Sequence, residues 1–137
     1  MEAEYAMEEI RVPTDVIEAI FHFLGERFRF PADVPKIHRI FYTLSEEKQF
    51  ASLFTEFIFD NSQMFPYCAT VRYALDNLQQ ARLLACINPG LDEFEITDAL
   101  AKLDIDKTGL FSSGEIELLG QAAERFKSLL ATTYAYQ

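Results

Sequence analysis

Tryptophan is absent from the chain, and cysteine and histidine are rare: two of each in 137 residues. Cys68 and Cys86 form neither a Cys-x-x-Cys pair nor a disulfide framework, so two reduced thiols in a cytoplasmic protein are expected. His22 and His38 stand alone, with no cysteine or second histidine at zinc-ligand spacing. The five glycines trace no phosphate loop, nucleophile elbow or dinucleotide fingerprint. No apolar run approaches the roughly 20 residues that span a bilayer, so no membrane segment is expected. The opening MEAEYAMEEI has four glutamates and no basic residue, the wrong chemistry for a targeting segment.

Basic residues are also scarce. Twelve Lys and Arg face 22 Asp and Glu, a formal charge of -10. Such a surface repels nucleic acid unless its cations gather on one face. Arg27, Arg29, Lys36 and Arg39 are the densest group, and the rest are scattered. An acidic surface suits solubility, a basic protein partner or a cation. The paired acids Glu8-Glu9, Glu46-Glu47 and Asp92-Glu93 fall at termini or turns and read as solvated. With no nucleophile–base set, an enzyme is not expected.

What is abundant is phenylalanine, 13 residues in a chain that is half hydrophobic. That composition builds a core, and the length suits one domain. We expect residues 1–11 to be a solvated acidic leader and 12–137 to be a single domain. Its class is mainly α with a small β component. Ile17, Ile20, Phe21 and Leu24 have helical spacing, with Thr14 as N-cap and Gly25 as stop. Arg27–Phe30 alternates as a short extended link. A second helix starts near Asp33, tolerates Pro35 in its first turn, and buries Ile37, Ile40, Phe41 and Leu44. Ser45 is placed to cap a third helix carrying Phe50, Leu53 and Phe54. Thr55–Phe59 then reads as a strand or as that helix continuing.

After Pro66 a helix over 67–82 turns Val71, Leu75 and Leu78 inward. Residues 83–87 and 94–97 flank Asn88-Pro89-Gly90 as a β-hairpin. A short helix at 98–103 precedes an Asp-rich loop. A long helix from Ser113 to Leu130 ends the pattern, with Ile116, Leu119, Ala123, Phe126 and Leu130 inside.

Helix, helix, strand, helix, two-stranded ribbon is the winged helix-turn-helix plan, with 67–82 in the recognition position. Lys36-Ile37-His38-Arg39-Ile40-Phe41-Tyr42, Phe57 and Phe59, Pro66-Tyr67, Leu75 and Leu78, and Leu83-Leu84 follow one another over residues 34–97. In that order they resemble the prokaryotic winged-helix-like group of SocA-type antitoxins and YwgA-type proteins. The group has Gly before its Pro-Tyr-Ser element, whereas here Met64-Phe65 precedes the Pro and Cys68 replaces Ser. The resemblance implies a winged-helix-like centre and a regulatory role of the toxin-neutralising or phage-related kind. The exposed candidates on 67–82 are Arg72, Asn77, Gln79, Gln80 and Arg82, donors of the sort that read bases or a protein surface. The wing offers Asp92, Glu93 and Glu95 and no basic residue, which sets carboxylates where phosphates would lie.

Residues 104–115 resemble an EF-hand loop. Asp104, Asp106 and Thr108 hold alternate ligand positions, Gly109 makes the turn, Leu110 supplies a carbonyl and Glu115 ends the loop. Ser112-x-x-Glu115 is equally a capping box opening the last helix. The composite expectation is a non-enzymatic protein-interaction or regulatory module without a cofactor, for which a protein partner is expected and a homo-oligomer is allowed. The alternatives are a DNA-binding regulator and a module binding calcium through loop 104–115.

Overall fold

The computed structural model describes residues 11–87 and 89–132. Residues 1–10 of the expected leader and Asn88 of the expected turn lie outside them.

Pro13 opens α1 (Pro13–Leu24), its fixed φ suited to a first helical turn. The helix starts one residue before the expected Thr14 cap, because Asp15 reaches back to accept the Val12 N–H at 2.8 Å. Six of its residues, from Val16 to Leu24, are buried. Gly25 ends it at φ 105°, in the region glycine enters without steric cost.

β1 (Arg29–Pro31) follows, and its Phe30 is buried between two exposed neighbours. The expected extended link is thus a true strand. Asp33 caps α2 (Val34–Glu46) by accepting the Lys36 N–H, and Pro35 sits in the first turn. The expected face of Ile37, Ile40, Phe41 and Leu44 is fully buried. Ser45 caps nothing: α2 runs through it, and its hydroxyl donates to Tyr42 O at 2.6 Å. The expected third helix is one 3-10 turn, Ala51–Phe54, that buries Leu53 and Phe54.

Thr55–Phe59 is neither a strand nor a continuing helix. It alternates, with Phe57 buried and Ile58 81% exposed, but among the described residues no strand pairs with it. The nearby chain makes only an isolated bridge between Asp60 and Tyr67. α3 (Ala69–Gln80) is one turn shorter than 67–82, and Val71, Ala74, Leu75 and Leu78 form its inner face.

α3 closes on a Schellman-type turn. Leu83 N–H donates to Leu78 O at 2.9 Å, and Arg82 N–H donates to Gln79 O at 3.0 Å. Arg82 occupies the left-handed position at φ 65°. β2 (Leu84–Ile87) and β3 (Glu93–Ile96) form the expected hairpin, with Ile87 opposite Glu93. β1 adds to the far side of β3, placing Phe30 opposite Phe94 in an antiparallel sheet of order β1-β3-β2.

Two single-turn helices, α4 (Asp98–Ala101) and α5 (Ile105–Thr108), lead to the long α6 (Ser113–Leu130). α6 buries Leu119, Ala122, Ala123, Phe126 and Leu129, while Ile116 and Leu130, both expected inside, are half-buried. The class is therefore mainly α with a small three-stranded sheet.

The core is an aromatic knot. Phe126 meets Phe21 at 5.6 Å, Phe30 at 5.5 Å and Phe41 at 5.5 Å between ring centroids. The Phe21 and Phe30 contacts are edge-on, the arrangement ring quadrupoles prefer. A single side chain of α6 thus joins α1, β1 and α2. Two polar ties hold the same helix outside. Arg125 binds both Glu47 carboxylate oxygens at 2.7–3.1 Å, and Lys36 Nζ donates to Leu130 O at 2.7 Å. Among the described residues no helix is long and apolar enough to cross a membrane.

Candidate functional site

The outer face of α3 carries the residues singled out for recognition. Arg72, Asn77 and Gln80 are exposed, as is Arg82 just past the helix. Gln79 is half-buried and turned inward along its own helix, its amide donating to Leu75 O at 3.0 Å. Arg72 is not a free cation, because Asp76 one turn on lies 3.5 Å from its Nε. The side chain with the greatest apolar presence here is one the sequence reading passed over. Tyr73 is 66% exposed, although aromatics usually favour an inner face. Its position two residues after Val71, off the apolar stripe, was the available signal.

The start of α3 is fixed from behind by His38. This side chain is fully buried in α2, with Nδ1 2.9 Å from Val34 O and Nε2 3.2 Å from Cys68 O. Cys68 is the residue before the first turn of α3, so His38 bridges the two helices. Tyr67 stacks on the imidazole at 5.2 Å, and Phe65 packs at 5.1 Å. Burial, above all, pushes the His38 pKa down. A neutral ring has one N–H for two facing carbonyls, so one of the two contacts lacks a proton.

At the tip of the hairpin, Pro89, Gly90, Leu91 and Asp92 are exposed. Leu91 is 63% exposed and held at φ 54°, unusual for a residue with a side chain. Glu95 faces away from the tip and pairs with Arg29 across β1 and β3 at 3.1 Å. Glu93 is half-buried, and the Asp92 carbonyl accepts the Ala32 N–H at 2.9 Å. Leu91 is therefore an exposed apolar side chain at the hairpin tip.

In residues 104–115 the side chains act as caps. Asp104 Oδ1 accepts the Lys107 N–H at 3.3 Å and opens α5, in which Asp106 takes the first turn. Thr108 donates to Ile105 O at 2.7 Å, and Gly109 turns the chain at φ 72°. Ser112 Oγ accepts the Glu115 N–H at 3.2 Å, while Glu115 Oε1 accepts the Ser112 N–H at 3.0 Å. The second carboxylate oxygen accepts from Arg11 at 2.9 Å, and that guanidinium also lies 4.9 Å from the Phe111 ring centroid. Arg11, expected in a solvated leader, is instead anchored. Both Glu115 oxygens are engaged, and Leu110 offers only its backbone. No cluster of three or more metal-ligating side chains occurs among the described residues.

Two free thiols complete the chemistry: Cys68 is buried, and Cys86 is half-buried with its Sγ 3.1 Å from Leu91 O. Comparison of the chain with protein-family models, with curated proteins and with solved structures finds no match to any of them.

Proposed function

We propose that this chain is a non-enzymatic protein-interaction module of winged-helix type, presenting α3 and the β2–β3 tip to a protein partner. The observation that carries the reading is the chemistry of that face. Its largest exposed apolar groups are Tyr73 and Leu91, and of its two exposed arginines Arg72 is matched by Asp76. Aromatic and aliphatic anchors suit a protein surface, whereas phosphate needs unpaired Lys or Arg. The charge of -10 adds a general repulsion toward nucleic acid.

The winged-helix reading is supported by the ribbon that follows α3 and by β1 joining that ribbon. The connection from α2 to α3, residues 47–68, is longer than a tight helix-turn-helix. We extend the resemblance to the SocA and YwgA group to fold only. The residues that carry it, Ile37, Ile40, Phe41, Leu75 and Leu84 among them, are core positions. They describe how a core is built rather than what is bound. Two free thiols fit the reducing setting of a cytoplasmic module.

A DNA-binding regulator is the second reading, favoured by the exposed Arg72, Asn77, Gln80 and Arg82. Anisotropy titration with a labelled random duplex separates the two. The interaction module gives no complex tighter than about 10⁻⁴ M at physiological salt. A micromolar complex that weakens steeply with added salt rejects it and promotes the second reading.

A further inference from the structure

The chain that joins α2 to α3 is lightly held where it approaches α3. Residues 60–64 are all exposed, and Phe65, Pro66 and Tyr67 are half-buried. Asp60 and Tyr67 exchange backbone hydrogen bonds at 2.7 and 3.1 Å, and Arg39 donates to Met64 O at 3.2 Å. A third tie is the His38 ring, which packs on Phe65 and Tyr67 and meets the Cys68 carbonyl. Among the described residues His38 is the sole buried polar side chain.

A proton added to this ring creates a cation away from water. The ionisable residues meeting it from the connection are Tyr67, stacked on it, and Cys68, facing it through its carbonyl. Arg72 on α3 is the charge that acts on it, and no carboxylate does. The Val34 and Cys68 carbonyls favour the cation without offsetting its burial. A buried charge without a counter-ion is relieved by reaching water. α2 does not supply the movement, because Ile37, Ile40, Phe41 and Leu44 lock that helix into the core. The connection does, since lifting it uncovers three half-buried residues and Cys68.

We propose that His38 is a pH-sensitive latch on α3. On gaining a proton it leaves its slot, residues 60–68 lift from α2, and the first turn of α3 is released. The closed form is complete above about pH 6.5 and is lost as pH falls from there through the lowered value of the ring. Asp60, held below the usual carboxylate range by Ser62, releases its turn only in more acid solution. That the latch governs a protein-binding face rests on the interaction-module reading of α3; the opening itself does not.

The test uses Cys68, buried in the closed form, as a reporter in the full chain carrying Cys86→Ser. Its labelling by a dipyridyl disulfide is measured from pH 7.5 to 5.5 as a ratio to the urea-unfolded chain at the same pH. The expected result is a rise of about tenfold in that ratio, with the helical circular dichroism unchanged. His38→Gln removes the rise, and His22→Gln leaves it. In the unsubstituted chain the imidazole carbon signals of His38 titrate with the labelling midpoint, a check that does not depend on His38→Gln folding. A flat ratio, a rise that survives His38→Gln, separate midpoints, or a rise matched by loss of helical signal would each overturn the latch. A salt-sensitive complex with duplex DNA strikes instead at the reading of α3, so the two failures are distinguishable.

Discussion

Arg11 donates to Glu115 at 2.9 Å across 104 positions of sequence, so the first described residue is tied to the opening turn of α6. The Ser112 N–H, and beyond it the Arg11 guanidinium, hold the Glu115 carboxyl below the usual glutamate range. A depressed acid stabilises the fold above its unfolded value of about 4.3 and loses that contribution as pH falls through the folded one. Glu115→Ala should cost about 1 kcal/mol at neutral pH by removing half of the capping box. The gap between variant and wild type, read from urea midpoints, should narrow below about pH 4.3. A gap independent of pH would show that the carboxylate is not the stabilising group.

The same engagement bears on calcium. A metal ion at loop 104–115 needs both Glu115 oxygens, which serve Ser112 and Arg11 in this structure. Calorimetry with millimolar calcium should show no binding tighter than about 10⁻⁴ M. Tight binding that Glu115→Gln abolishes would make the loop a calcium site and the capping arrangement its metal-free form.

Phe126 is fully buried and touches Phe21, Phe30 and Phe41. Phe126→Ala should cost about 3–5 kcal/mol, seen as a large fall in the denaturation midpoint. A loss below about 1 kcal/mol would mean that α6 is peripheral to the core.

Burial pushes His38 below the usual histidine value, and Arg72 adds to the fall; together they outweigh the Val34 and Cys68 carbonyls, which favour the cation. For a base whose folded pKa is lowered, the unfolded chain takes up the proton first. Stability is then full above about pH 6.5 and declines as pH drops from there toward the folded value. The melting temperature should therefore fall between about pH 7.5 and 5.5, and His38→Gln should flatten that slope. An NMR titration placing the His38 pKa above about 6.5 would reverse the sign and refute the expectation.

Arg82 sits at φ 65° in the turn that ends α3, a conformation glycine enters freely. Arg82→Gly should leave stability unchanged or raise it by up to about 1 kcal/mol. A clear loss would assign the Arg82 side chain a structural contact that outweighs the backbone strain.

Where recognition needed only local spacing, the fold was legible. Val71, Leu75 and Leu78 on α3 and Ile37, Ile40, Phe41 and Leu44 on α2 face inward as their 3.6-residue period demands. What the sequence concealed was non-local pairing. Phe30 is strand because Phe94 lies opposite it, a partner 64 positions away in a different element. Thr55–Phe59 has the alternation of a strand and, among the described residues, no neighbour to pair with, so periodicity alone misleads there. Of the proposed interaction face, Arg72, Asn77, Gln80 and Arg82 are exposed as expected, whereas Gln79 is half-buried and Tyr73 was not among the expected residues. Tyr73 stands between Arg72 and the buried Ala74, and only its place off the Val71, Leu75 and Leu78 stripe signals that it faces out.

The Phe126 contacts also set a constraint on timing. Phe21 and Phe41 have no ring from α6 beside them until Phe126 has been made, about 100 residues after Phe21. At a synthesis rate of about 5–20 residues per second, that interval is roughly 5–20 s. During it the apolar residues of α1 and α2 lack their α6 partner. Completion of this aromatic core therefore waits on the last helix to be made.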